Sequence, residues 1–147
     1  MNGITIVQSG SPLAFTTATN QTNSQGGGSR PDVVAYNKSI AGSARSRISR
    51  WFNTSAFTTP AAFTFGNESR VDSTLRGAGL ANWDFTLSKA VPITERVSFD
   101  FKTEVFNIAN RVQFGDPGTS VGSATFGVVS TYVNNPPQFQ FAGRLSF

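Results

Sequence analysis

Apolar and polar residues alternate with a period of two over three stretches of this chain. Between Asn82 and Val91, Trp83, Phe85 and Leu87 alternate with Asp84, Thr86 and Ser88. Between Arg96 and Phe106, Val97, Phe99, Phe101, Thr103 and Val105 alternate with Ser98, Asp100, Lys102 and Glu104. Between Gln138 and Phe147, Phe139, Phe141, Gly143, Leu145 and Phe147 stand opposite Gln140, Ala142, Arg144 and Ser146. Successive side chains of a strand point to opposite faces, so each stretch predicts a strand with one apolar and one polar face. A weaker alternation over Gly3–Ser9 sets Ile4, Ile6 and Gln8 against Thr5, Val7 and Ser9 and predicts a first strand. Pro92–Glu95 reads as a tight turn. Residues 10–81 and 107–137 carry turn signals at Gly26-Gly27-Gly28, Arg30-Pro31-Asp32, Gly115–Gly118 and Asn134–Pro137. They predict long loops, the second with a short hairpin arm over 126–133.

The predicted fold class is all-β and antiparallel. Only 14% of residues are charged, while Phe and Gly each occur 14 times, a mixture suited to strands and turns rather than helices. The clear strands run about ten residues, within the roughly 9–11 that a tilted strand needs to cross a bilayer; globular strands peak at about five or six. Two arrangements satisfy the alternation. In a soluble sandwich the aromatic face meets a core and the charged face meets water. In a transmembrane barrel the aromatic face meets lipid and the charged face a wet lumen. Strand length favours the barrel, and so does a last strand whose alternation runs unbroken to Phe147. The connections agree. With the last strand running toward the periplasm, the tight turn falls on the periplasmic side and both long loops on the extracellular side, as in outer-membrane barrels.

The missing residue types narrow the chemistry. There is no Cys and no His, which removes thiol nucleophiles, disulfides, imidazole bases and most zinc or iron sites. No nucleophile–base constellation is apparent, so no enzyme, catalytic residue, cofactor or metal site is predicted. No run approaches the roughly 18 apolar residues of a membrane-spanning helix. Met1–Val7 lacks the basic and apolar regions of a signal peptide. Combined with the barrel reading, this predicts a fragment, a split gene product or a start site assigned too late.

The net charge of +4 resides in residues 30–76, where seven bases (Arg30, Lys38, Arg45, Arg47, Arg50, Arg70, Arg76) face three acids (Asp32, Glu68, Asp72). The run Ala44–Trp51 has the arginines and the aromatic of a nucleic-acid contact. A solvated loop touching lipopolysaccharide phosphates, or lining the path of an anionic substrate, is the preferred reading, and no nucleic-acid partner is predicted. Gly26–Gly28 and Gly77-Ala78-Gly79 lack the Lys-Ser/Thr of a phosphate loop and read as turns.

Several short motifs occur in order: Arg50-Trp-Phe-Asn-Thr-Ser-Ala-Phe57, Phe65-Gly-Asn67, Leu75-Arg-Gly-Ala-Gly-Leu80, Asn82–Lys89, Glu104-Val-Phe-Asn-Ile-Ala-Asn110 and Phe126-Gly127. Together they resemble the carboxy-terminal barrel region of the Oar-like TonB-dependent receptors, and Asn2-Gly-Ile with Ser9-Gly-Ser-Pro12 resembles the strand and loop preceding it. The resemblance covers almost the whole chain. It implies the bacterial outer membrane, a place at the end of a receptor and transporter, and a barrel-assembly signal at Phe139, Phe141, Gly143, Leu145 and Phe147. The implied partners are outer-membrane lipid and lipopolysaccharide, the barrel-assembly machinery, the rest of the receptor with its plug, and through it TonB. Such receptors carry a carboxypeptidase-regulatory-like domain, a plug and about twenty-two strands. Four strands would leave two edges of unpaired backbone in lipid, so the expectation is a piece of a larger wall. The alternative from a different class is a soluble β-sandwich module that binds carbohydrate.

Parity places Asp84, Asp100, Lys102, Glu104 and Arg144 on the lumen face. Asp100, Lys102 and Glu104 alternate in sign, and an ion-pair ladder with neighbouring strands is preferred over substrate contacts. Lys89 falls on the aromatic face near the periplasmic end, where its ammonium can snorkel. Trp83 falls where an extracellular aromatic girdle is expected, although ordinary packing would account for it equally.

Overall fold

The computed structural model describes residues 1–25 and 29–147; the predicted Gly26–Gly28 turn lies outside the described residues. The strands are β1 (Asn2–Gln8), β2 (Pro12–Leu13), β3 (Thr16–Thr17), β4 (Asp32–Val33), β5 (Phe57–Thr58), β6 (Asp72–Arg76), β7 (Leu80–Pro92), β8 (Ser98–Phe106), β9 (Ser120–Val121) and β10 (Gln138–Ser146). Short 3-10 turns occupy Ala44–Arg47 and Thr54–Ala56. No α-helix occurs among the described residues.

The residues group into two compact units. The first comprises Met1–Gln8, Leu80–Gln113 and Val133–Phe147. Its sheet has the order β1-β7-β8-β10, every pair antiparallel. The four strands lie where alternation predicts strands, with shifted ends. β7 begins two residues early and runs through Pro92, which pairs with Ser98 at the end of the ladder, where a missing N–H is tolerated. The tight turn therefore spans Ile93–Val97 rather than 92–95. Ile93 N–H donates to Val97 O at 2.8 Å, and Thr94 Oγ1 accepts Val97 N–H at 3.2 Å.

The register aligns the aromatic positions into one face. Phe85 and Phe139 both lie opposite Val105, Gly143 opposite Phe101, and Leu145 and Val91 both opposite Phe99. The rings of Phe101 and Phe141 stack diagonally, with centroids 6.3 Å apart. The strand β1 departs from this division. Ile4 lies opposite Asp84 and Ile6 opposite Asn82, so both isoleucines share the charged face, while Thr5 and Val7 lie opposite Trp83 and Ala81. A side-chain period of two leaves no freedom here: once Ile4 pairs with Asp84, the whole strand follows.

This sheet has almost no interior. Val105 is its one buried hydrophobic among the described residues, whereas Phe139, Phe141 and Leu145 are 65%, 66% and 55% exposed. A sandwich would bury that face against a second sheet; strands that face lipid leave it uncovered. Strands β1 and β10 form the two edges, and the sheet is not closed.

The second unit comprises Ser9–Gly79 and Phe114–Tyr132. It corrects the expectation of structureless loops, because it has a core of its own. Leu13, Phe15, Trp51, Phe52, Ala56, Phe57, Leu75 and Val121 are buried together. The Phe15 ring stacks on Phe57 at 4.4 Å, and Phe52 meets Phe15, Phe57 and Phe126 edge to face. Strand pairs β2–β6, β3–β9 and β4–β5 bind the periphery. The Trp51 indole N–H donates to Arg76 O at 2.7 Å. Gly10 approaches Gly77 so closely that a Cβ on Gly10 would strike the Gly77 carbonyl. The predicted hairpin arm over 126–133 is not formed. That stretch folds back instead, with bridges Gly118↔Phe126 and Phe114↔Tyr132.

Candidate functional site

At one end of the four-stranded sheet, Gln8 pairs with Leu80 and Phe106 with Gln138, so both long excursions of the chain leave from that end. The motif Glu104–Asn110 stops β8 there. Asn107 takes a positive φ of 51° and Asn110 one of 48°, conformations that asparagine tolerates better than most residues. The Asp84 carboxylate accepts the Asn107 backbone N–H at 2.9 Å and the Asn82 amide at 2.8 Å. The Asn107 side chain accepts Arg111 N–H at 3.0 Å and donates to Asn135 O at 3.1 Å. Asn134 accepts Gln113 N–H at 2.8 Å and donates to Arg111 O at 2.6 Å. Side-chain amides thus replace the ladder where the strands end. They border an open cavity of about 320 Å³, whose strand residues (Ile6, Leu80, Asn82, Asp84, Phe106, Gln138) belong to the charged face.

The residues predicted to face a lumen do share one face. Arg144 lies directly opposite Asp100, and Gln140 opposite Glu104. The ion pair formed there runs along β8 and not across strands: Lys102 Nζ reaches Glu104 Oε1 at 2.9 Å. A ladder with neighbouring strands is therefore not formed, and this exposed pair contributes little stability. Asp84 works locally, through the Asn107 turn. Lys89 lies on the aromatic face opposite Phe101. Trp83 is on the same face, with the Arg111 guanidinium 5.8 Å from its ring centroid. Of the predicted assembly positions, Phe139, Phe141, Gly143 and Leu145 share the aromatic face of β10, and Phe147 lies just beyond the strand.

In the second unit, sequence reading missed a charge cluster. Lys38 Nζ contacts Asp72 Oδ2 at 2.5 Å and Glu68 Oε2 at 3.3 Å, with both acids almost wholly buried. Burial acts to lower the Lys38 pKa, but the hydrogen bond and charge of Asp72, helped by Glu68, outweigh it and raise it above the usual lysine value. Burial likewise acts to raise Asp72, and hydrogen bonds from Lys38 and Thr74 hold it below the usual carboxylate range. The signal in the sequence was three charges inside otherwise polar loops, too dispersed to reveal a pairing.

The basic residues divide. The Arg47 guanidinium lies 4.7 Å from the Trp51 ring centroid and donates to Ile40 O at 3.3 Å. Arg76 donates to Gly10 O at 3.0 Å, and Arg50 to Asn53 Oδ1 at 3.0 Å. These three arginines brace the unit internally.

No curated protein and no solved structure matches this chain. One family model does, over residues 1–141: the outer membrane beta barrel domain. An antiparallel sheet with one uncovered aromatic face and one charged face is what that family's strands require in lipid. The chain belongs to the outer membrane beta barrel domain family, and its location is the bacterial outer membrane.

Proposed function

We propose that this chain forms the carboxy-terminal part of the barrel wall of a TonB-dependent outer-membrane receptor of the Oar-like type. One observation carries the reading: a four-stranded sheet, uncovered on its aromatic face, whose two long excursions leave from the same end. Single-chain bacterial barrels need at least about eight strands. Edge strands β1 and β10 therefore pair with further strands of the receptor. The ordered motifs from Arg50 to Gly127 favour this receptor class and now have physical roles. Trp51, Phe52 and Phe57 fill the second unit's core, and Asn107 and Asn110 end β8.

The role is non-enzymatic. The wall separates lipid from lumen, β10 presents the residues read by the barrel-assembly machinery, and the long excursions meet substrate and lipopolysaccharide outside. Energy from TonB reaches the receptor through a plug supplied by the rest of the protein.

The test uses the full-length protein that carries these residues. It should fractionate with the outer membrane, show heat-modifiable gel mobility and co-purify with TonB. A heat-modifiable barrel that fails to bind TonB overturns the receptor assignment and leaves the barrel standing.

A further inference from the structure

The cavity at the loop end of the sheet has an uncommon lining. Its polar side chains are amides, with Asp84 as its single acidic side chain among the described residues, and Phe106 and Pro136 provide apolar surface. Much of the amide chemistry is already used: Asn107 and Asn134 hold the backbone of residues 111–113 and 135. The remainder is not. The Gln113 side-chain amide makes no hydrogen bond to the described residues, and the same holds for the exposed side chains of Asn135 and Gln138. These three amides open onto the cavity, where their donors and acceptors are free to meet whatever fills it.

We propose that this cavity binds a neutral, hydroxyl-rich ligand, a carbohydrate. Each free amide presents N–H donors beside a carbonyl acceptor, which matches a hydroxyl or a pair of neighbouring hydroxyls. The Phe106 ring offers a flat apolar surface for the C–H face of a sugar ring. Asp84, which forms no ion pair among the described residues, disfavours an anionic ligand. The inference rests on the receptor reading only for placing the cavity at the outer mouth of the barrel. It deepens that reading by naming the substrate class.

The experiment titrates the detergent-solubilised full-length barrel calorimetrically with maltohexaose, cellohexaose, hexagalacturonate and hexaglycine. A neutral hexasaccharide should bind, and hexagalacturonate at least about tenfold more weakly. Asn135→Ala and the near-isosteric Gln113→Met should each weaken the neutral sugar by about tenfold, the loss of one hydrogen bond, with unchanged heat-modifiable mobility. Asn135 is exposed, so its variant keeps the test open should Gln113→Met fail to assemble. Absence of neutral-sugar binding by an intact barrel overturns the proposal. So does hexaglycine binding more tightly than either neutral sugar, or sugar affinity unmoved by Asn135→Ala. Sugar binding by a barrel that does not bind TonB would sink the receptor assignment and leave this site in place.

Discussion

The side chain of Phe99 lies over Gly143 of the neighbouring strand. A Cβ added to Gly143 would stand 3.1 Å from the ring's Cε2 and Cζ. Leu145, not Gly143, is the direct partner of Phe99, so the ring reaches diagonally across the aromatic face to cover backbone that has no side chain. Gly143→Ala is expected to destabilise the assembled barrel by about 1 kcal/mol, because the ring must give way. Phe99→Leu should relieve most of that penalty. Heat-modifiability midpoints of the two single variants and the double variant measure the coupling, and additive effects would refute the contact.

Asn107 combines a positive φ with several partly buried hydrogen bonds. Asn107→Ala should destabilise the end of β8 by about 1–3 kcal/mol through unpaired backbone groups. Asn107→Gly keeps access to the positive φ and should be milder by about 1 kcal/mol. Hydrogen exchange at residues 107–113 reads both. Equal protection in the two variants would show that backbone conformation contributes nothing there.

The Lys38 cluster sets a pH window for the second unit. Asp72 is lowered when folded, so its contribution is fully present above the ordinary carboxylate value of 3.8 and fades as pH falls through the folded value. Lys38 is raised, so its contribution is present below 10.5 and fades as pH rises through its folded value. Protease resistance of residues 9–79 should therefore be flat between those limits and decline outside them. Lys38→Met leaves two buried carboxylates without their cation and should destabilise the unit by about 3–5 kcal/mol. Limited proteolysis across pH checks this; a profile identical to wild type would remove the cluster from the account.

Phe52 is fully buried at the centre of the aromatic cluster. Phe52→Ala should destabilise the second unit by about 3–5 kcal/mol. Retained protection of the Trp51 indole N–H from exchange would contradict that estimate.

The strands were legible because period-two alternation is a local signal: Phe99, Phe101 and Phe139 announce their face within a few residues. The face of β1 was not, since its weak alternation leaves Ile4 and Ile6 unassigned until their register with Asp84 and Asn82 is known. The second unit was hidden for a different reason. Its core joins Phe15, Phe52, Phe57 and Phe126, residues dispersed among turn signals with no shared period. The cavity residues were partly visible, as Asp84 shows, but Gln113 and Asn135 acquire meaning only from the turn that Asn107 builds.

The sharpest test of the account is the orientation of β10, in a cysteine-free background, and none of these 147 residues needs replacing to provide it. Single cysteines at positions 139 to 144, in outer membranes containing the full-length protein, can be probed with a water-soluble thiol reagent and a lipid-phase quencher. The account predicts that positions 140, 142 and 144 react from water while labels at 139, 141 and 143 are quenched from lipid. Uniform reaction from water, or the opposite alternation, would contradict a wall strand with its aromatic face in the membrane.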